Sequence, residues 1–232
     1  AEQGAIFFEN IVNENTTSTR QLIIHEVMGR NCGWLTAQTA LDYRSRMKNR
    51  DFIPELLIDQ SRWDIDAVYI PESDFDFQTE VSRLKAVMDA KDGVNVFLSE
   101  GAGLETIVRE MEDRGQEIPR DAFGHVRLDD INPGKWFAKQ FSGALGAEKT
   151  LVQKSGYFAR SAMPNNRDLQ LIQKSAEIAV EYAVAQKNGV VGRDIDNNNA
   201  IGLIEFSRIK GGKPFNPNVD WFCNLLNEIG QK

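Results

Sequence analysis

The chain has 232 residues, 41% of them hydrophobic and 26% charged, which allows a sizeable buried core and excludes bulk disorder or a collagen-like repeat. With 27 Lys and Arg against 34 Asp and Glu, the net charge of −7 lacks the field of a nucleic-acid binder, so any anion site has to be built locally. The longest apolar runs, 67–70 and 94–98, fall far short of the ~18 residues that cross a bilayer, and the expectation is a cytoplasmic protein with neither membrane nor nucleic acid as partner.

The chain opens at Ala1 without a methionine, and 5–12 (AIFFENIV) reads as a strand, so the chain is expected to lack its beginning. Residues 21–27 form a short apolar strand, 28–33 a loop with two glycines, and 34–47 a helix striped by Leu35, Thr36, Thr39, Ala40 and Tyr43. The next strand is 66–70, closed by Pro71 and Glu72. The acidic run 72–76 reads as the solvated start of a helix over 77–90, which carries Val81, Leu84, Val87 and Met88 on one face. Strand 94–98 runs into Ser-Glu-Gly-Ala-Gly and a helix over 104–113 that Gly115 stops. Asn132 with Pro133 opens a helix to Leu145, and 150–154 is a strand. Residues 164–186 make the longest helix, with Leu169, Ile172, Ala176, Ala179 and Ala183 along one side. A strand at 203–206 and a helix at 219–229 follow.

Apolar strands alternating with amphipathic helices imply an α/β fold of three layers, a mainly parallel sheet with helices on both faces. Ligands of such sheets sit at the carboxyl ends of the strands, where loops lead into helix N-termini that favour anions. Three loops qualify. Residues 28–33 hold Arg30 between glycines. In 99–103, two glycines allow a ligand close to the backbone while Glu100 accepts hydrogen bonds from hydroxyls. In the turn after Ser155, the Arg160 guanidinium can grip a phosphate through two parallel hydrogen bonds, with the Tyr157 phenol nearby. Taken singly, each also fits a plain turn, with Glu100 solvated and Arg30 and Arg160 as surface guanidinium groups.

Two segments only mimic ligand motifs. Residues 143–150 come close to a phosphate-binding P-loop, but Glu148 stands where a glycine is needed and the strand follows instead of preceding. Residues 194–205 approach a calcium loop, yet Asn199 replaces the turn glycine, and a surface turn between helix and strand is expected. Cys32, Cys223, His25 and His125 are isolated from one another, so no zinc site is expected.

His-Glu-Val-Met-Gly-Arg-Asn-Cys-Gly-Trp-Leu-Thr-Ala over 25–37 resembles the Met-Gly-Arg segment of the phosphofructokinases. Ser-Glu-Gly-Ala over 99–102 and Gly-Tyr-x-x-Arg over 156–160 resemble the next two sugar-phosphate motifs of that family, in the same order. The similarity covers essentially the whole chain and is greatest to the bacterial diphosphate-dependent branch, to which Lys-Gly-Gly-Lys-Pro-Phe over 210–215 is also similar.

The resemblance implies reversible transfer of a phosphoryl group from diphosphate to the 1-hydroxyl of fructose 6-phosphate in glycolysis. Met28, Gly29 and Arg30 would border the sugar phosphate, Glu100 would bind its hydroxyls, and Tyr157 with Arg160 would hold the 6-phosphate. The family's Arg ahead of the Met-Gly-Arg segment is not carried over to Arg20, whose spacing is one residue longer than in the ATP-dependent relatives. For a basic residue before Tyr-x-x-Arg, Lys149 and Lys154 both stand open. The family's glycine-rich donor loop and Asp-bearing segment do not occur here. The resemblance thus implies that this is the C-terminal part, with no catalytic or metal-binding residue of its own and with Mg²⁺ bound mainly by the N-terminal donor domain. Expected domains are 1–157 for fructose 6-phosphate and 158–232 as a return helix and tail packing toward that donor domain. A homodimer or homotetramer is expected. The alternatives are an ATP-dependent 6-phosphofructokinase and a non-catalytic sugar-phosphate-binding regulatory module.

Overall fold

The computed structural model describes residues 1–56, 58–209 and 211–231. Its elements in chain order are α1 (Glu2–Ile11), β1 (Gln21–Val27), α2 (Trp34–Met47), α3 (Gln60–Trp63), β2 (Ala67–Tyr69), α4 (Phe77–Lys91), β3 (Gly93–Ser99), α5 (Leu104–Asp113), α6 (Leu128–Ile131), α7 (Pro133–Leu145), β4 (Lys149–Lys154), α8 (Gly156–Ser161), α9 (Asn166–Val184), β5 (Val190–Asp194), β6 (Ala200–Ile204) and α10 (Asp220–Glu228). They divide into one unit of Ala1–Ser161 with Lys213–Lys232 and a second of Ala162–Gly212. The sequence reading grouped 158–232 together, whereas in the structure the tail from Lys213 belongs to the first unit.

In the first unit the strands run β2-β3-β1-β4, and every pair is parallel. Successive side chains of a strand point to opposite faces, and the two cores follow that alternation. Leu22 and Ile24 of β1, with Val94, Val96 and Leu98 of β3, pack under Leu84 and Met88 of α4 and Phe137, Phe141 and Leu145 of α7. Ile23 and Val27, with Phe97, face Phe8 of α1, Ala37, Ala40 and Tyr43 of α2, and Phe222 and Leu225 of α10. The result is the expected sheet between two helical layers.

The opening segment is a helix and not a strand. Ala5, Phe8 and Val12 are all buried, three and four residues apart, so they form one helical face that closes on β1. The Phe7-Phe8 pair mimics a β-former, but Glu9 and Asn10 have to point away from that face.

The edge of β2 is covered by a side chain. Gln231 Oε1 accepts from the Val68 N–H at 2.8 Å, and Gln231 Nε2 donates to the Val68 carbonyl at 3.2 Å. The amide thus pairs as a neighbouring strand would.

In the second unit α9 packs on a hairpin of β5 and β6, which pair antiparallel with Gly192 opposite Gly202. Strand β5 was not expected, because the sequence suggests only a surface turn between the helix over 164–186 and the strand at 203–206. A capping box of Asn165 and Asp168 starts α9 two residues later than the sequence suggests. The turn at 194–199 joins two strands, and its Asp194 and Asp196, like Glu205, are paired with Arg208. Those carboxylates therefore already have a cation.

Mid-strand His25 is fully buried, stacked on Phe8 (centroids 5.4 Å apart) and edge-on to Phe97 (4.9 Å), with neither ring nitrogen hydrogen-bonded. Burial pulls its pKa down to about 3. The unfolded chain takes up a proton near pH 6.5 that the folded chain refuses, so this stability is full above that pH and is lost as pH falls toward 3. Urea unfolding of the full-length protein at pH 6 and pH 5 should show wild type losing about 1 kcal/mol more than His25→Leu over that interval. Equal losses would contradict the assignment.

Candidate functional site

Parallel register aligns the carboxyl ends of three strands. Glu26 lies opposite Leu98 and Lys154, and Val27 opposite Ser99. The loops that begin at Met28, Glu100 and Ser155 therefore leave the sheet side by side.

The first two loops are fused by backbone. The Glu100 N–H donates to the Val27 carbonyl at 3.0 Å, and the Ser99 hydroxyl donates to the Gly29 carbonyl at 2.6 Å. A Cβ on Gly101 would fall on the Arg30 carbonyl oxygen, so only glycine lets the strands' exits approach this closely. The third loop joins through Met28, whose Sδ accepts from Arg160 Nη2 at 2.8 Å and whose side chain packs against Gly156. Arg160 also lies over the Tyr157 ring, its guanidinium carbon 5.6 Å from the centroid.

All six residues named from sequence thus lie at one end of the sheet, Met28, Gly29, Arg30 and Glu100 on loops and Tyr157 with Arg160 on α8, a short helix where the sequence suggests a turn. Tyr157 is 85% exposed and Arg160 is also exposed, which leaves both available to a ligand. Arg30 donates to the Val126 carbonyl at 3.1 Å. Half-burial pushes the Glu100 carboxyl up, and the charges of Glu26 and Asp129 add to that. Arg30 and Lys154 pull it back down.

Sequence reasoning missed what lies under these loops. Glu26 is nearly buried on β1, accepts from the Gly134 N–H at the start of α7 (3.0 Å), and pairs with Lys154 at 2.9 Å. Its signal was present, because Glu26 falls two residues before the loop that begins at Met28. Lys149 and Lys154, both open from sequence, lie at opposite ends of β4: Lys149 opens the strand and pairs with Glu14 (2.9 Å), while Lys154 ends it beside the loops. Arg20 lies at the amino end of β1, holding the Leu145 and Gly146 carbonyls (2.6 and 2.7 Å) and Asp89 (2.9 Å).

Glu72 also differs from its sequence reading. Asp76 does cap α4, accepting from the Thr79 N–H. Glu72, however, is half-buried and turned inward. Both of its oxygens accept from the Gly33 N–H at 3.0 Å, and Oε1 also accepts from the Phe215 N–H at 2.8 Å. Lys210, the first residue of the Lys-Gly-Gly-Lys-Pro-Phe segment, lies outside the described residues.

A cavity of about 240 Å³ opens elsewhere, beside β2 between Phe75, Phe222 and Leu226. Its lining includes Asp74, Asp76 and Glu80 and no Lys or Arg, so it does not suit a phosphate. The cationic loops at the carboxyl end do.

The phosphofructokinase family matches residues 7–183. Over 231 residues the chain is 56% identical to a pyrophosphate–fructose 6-phosphate 1-phosphotransferase of Methylomonas methanica and 53% identical to one of Mastigamoeba balamuthi. It is covered in full and spans 56% of the length of each. Crystal structures of pyrophosphate-dependent phosphofructokinases share the fold. That of Nitrosospira multiformis matches with TM-score 0.58 at 19% identity, over 97% of this chain and 52% of its own. That of Marinobacter aquaeolei matches with TM-score 0.58 at 20% identity, over 98% and 53%.

Gly101→Ala is expected to drive the two fused loops apart. Hydrogen exchange read by mass spectrometry should rise in 28–33 and 99–103 while strand 94–98 stays protected; an unchanged pattern would show that the contact does not hold the loops.

Proposed function

The chain belongs to the phosphofructokinase family, and we propose that the full-length protein transfers a phosphoryl group from diphosphate to the 1-hydroxyl of fructose 6-phosphate, reversibly, as a step of glycolysis, with this chain supplying the acceptor side. The observation that carries the reading is the meeting of three loops at one sheet end, which brings Arg30, Glu100, Tyr157 and Arg160 to one side of the molecule. Diphosphate as donor is supported by the name shared by relatives identical at more than half of the positions.

The proposed roles follow from charge and reach. Arg160 offers a forked pair of donors to the 6-phosphate, and the exposed Tyr157 hydroxyl adds a neutral one. Glu100 accepts from the sugar hydroxyls through its carboxyl oxygens; burial and Glu26 push its pKa up, and Arg30 and Lys154 partly offset that push. Met28, Gly29 and Arg30 border the sugar. Fixing the sugar at its phosphate and hydroxyls leaves one geometry for the 1-hydroxyl, and phosphoryl transfer gains most of its rate from such positioning.

A divalent metal, proposed as Mg²⁺, would neutralise charge on the phosphates. Among the described residues no three His, Cys, Asp or Glu side chains gather to hold one. The remaining half of the relatives' length is proposed to supply donor and metal contacts. The apolar side chains Leu169, Ile172, Val180 and Val184, exposed on α9, suit a face that meets that half. The assembly is proposed as a homodimer or homotetramer. A cytoplasmic location is proposed from the glycolytic role; separately, no helix among the described residues is long and apolar enough to cross a membrane.

The test is turnover of fructose 6-phosphate with diphosphate by the full-length protein; a preparation that uses other sugars but not this one would refute the reading. Arg160→Ala should raise the KM for fructose 6-phosphate about 10- to 100-fold, the ~1.5–3 kcal/mol of a charge-assisted hydrogen bond. Glu100→Gln should raise the same KM and leave that for diphosphate unchanged. If either sugar KM stays put, that residue returns to a surface role.

A further inference from the structure

The loop that carries Arg30 is held at its start by the Ser99 hydroxyl and the Gly101 contact. Its far end, Gly33, begins α2 with no capping side chain of its own. The N–H of that residue points to Glu72, which arrives from the end of β2 and accepts it with both carboxylate oxygens at 3.0 Å. A Cβ on Gly33 would strike Ile70 and come within 2.7 Å of Glu72 Oε2, so the fit leaves no room for a side chain. The same carboxylate accepts at 2.8 Å from the Phe215 N–H, in the segment where the chain re-enters the first unit. Phe215 is itself buried against Trp221 and Phe222.

We propose that Glu72 is a positioning residue for the proposed acceptor loop, a carboxylate that fastens the far end of 28–33 to the returning tail. The loop and the tail then keep one geometry relative to the sheet. Its charge suits the place, because the first turn of α2 presents unpaired N–H groups that favour an anion. An external carboxylate here does for Gly33 what the third helical residue does in a capping box. Because Arg30 sits three residues before Gly33, slack at Gly33 is passed to the guanidinium and to Gly29, and the cost falls on the sugar phosphate and not on the donor.

The proposal rests on the function proposed above, and the experiment separates the two. In the full-length protein, Glu72→Ala should raise the KM for fructose 6-phosphate about tenfold, leave kcat within about twofold, and leave the KM for diphosphate unmoved. Glu72→Gln keeps one acceptor oxygen and should recover most of the loss. Asp89→Ala, which breaks an ion pair with Arg20 at the amino end of the sheet, controls for general destabilisation and should leave the sugar KM alone. Hydrogen exchange gives a second readout that needs no substrate: Glu72→Ala should raise exchange in 28–34 and 213–216 together, and not in 94–98. Unchanged exchange in those segments overturns the role of Glu72, as does an unchanged sugar KM or a parallel rise in both KM values. Wild-type protein that ignores fructose 6-phosphate overturns the functional reading instead, and the exchange result then decides the fate of Glu72 alone.

Discussion

The candidate site depends on one close approach: the backbone of Gly101 lying against the Arg30 carbonyl, with the Ser99 hydroxyl donating to the carbonyl of Gly29. Parallel strands deliver their carboxyl ends side by side whatever the sequence, but loops that leave neighbouring strands ordinarily splay. Two backbones can come this near only where one of them lacks a Cβ. That constraint turns two separate strand exits into one surface. The residues that flank it, Arg30 and Glu100, then act on each other electrostatically across the join.

Charge on this molecule is sorted by the ends of the sheet. At the amino end Arg20 is consumed by the Leu145 and Gly146 carbonyls and Asp89, and Lys149 by Glu14. At the carboxyl end Lys154 answers the nearly buried Glu26, Arg30 donates to a carbonyl and lies within the field of Glu100, and Arg160 donates to a thioether and lies over a ring. A thioether is a weak acceptor that an anion displaces at little cost. An acidic chain thus keeps local positive charge at the carboxyl end of its sheet, where the proposed sugar phosphate would sit, which net charge alone cannot reveal.

Much of this was legible in the residues. Apolar strands alternating with striped helices gave the layered fold, because the period of burial differs between the two element types and survives without coordinates. The three loops were legible because glycine and charge fall together just after apolar runs. What was hidden depends on long-range pairing. The segment 5–12 holds two adjacent phenylalanines, and only the buried face made by Ala5, Phe8 and Val12 shows that it is a helix. Strand β5 needs its partner β6, since Val190 and Val191 between glycines form too short a run to declare themselves. Lys149 and Lys154 are equivalent as letters and lie at opposite ends of one strand in space.

Glu72 is the sharpest case of a local pattern misread for want of a partner. An acidic run before a helix favours solvated carboxylates on helix dipole grounds, and Asp76 obeys that rule at the start of α4. Glu72 belongs to a different helix. It serves the start of α2, 39 residues back in the chain, and Phe215, 143 residues on. Two N–H groups so distant in sequence leave no periodic trace, yet a half-buried carboxylate needs such donors to remain inside, and the loop needs an anchor that glycine cannot supply for itself. The freedom that lets Gly33 fit against Ile70 is also what makes an outside carboxylate necessary. A loop built from glycines for close packing has to borrow its rigidity from neighbouring side chains, and here Ser99 at one end and Glu72 at the other provide it.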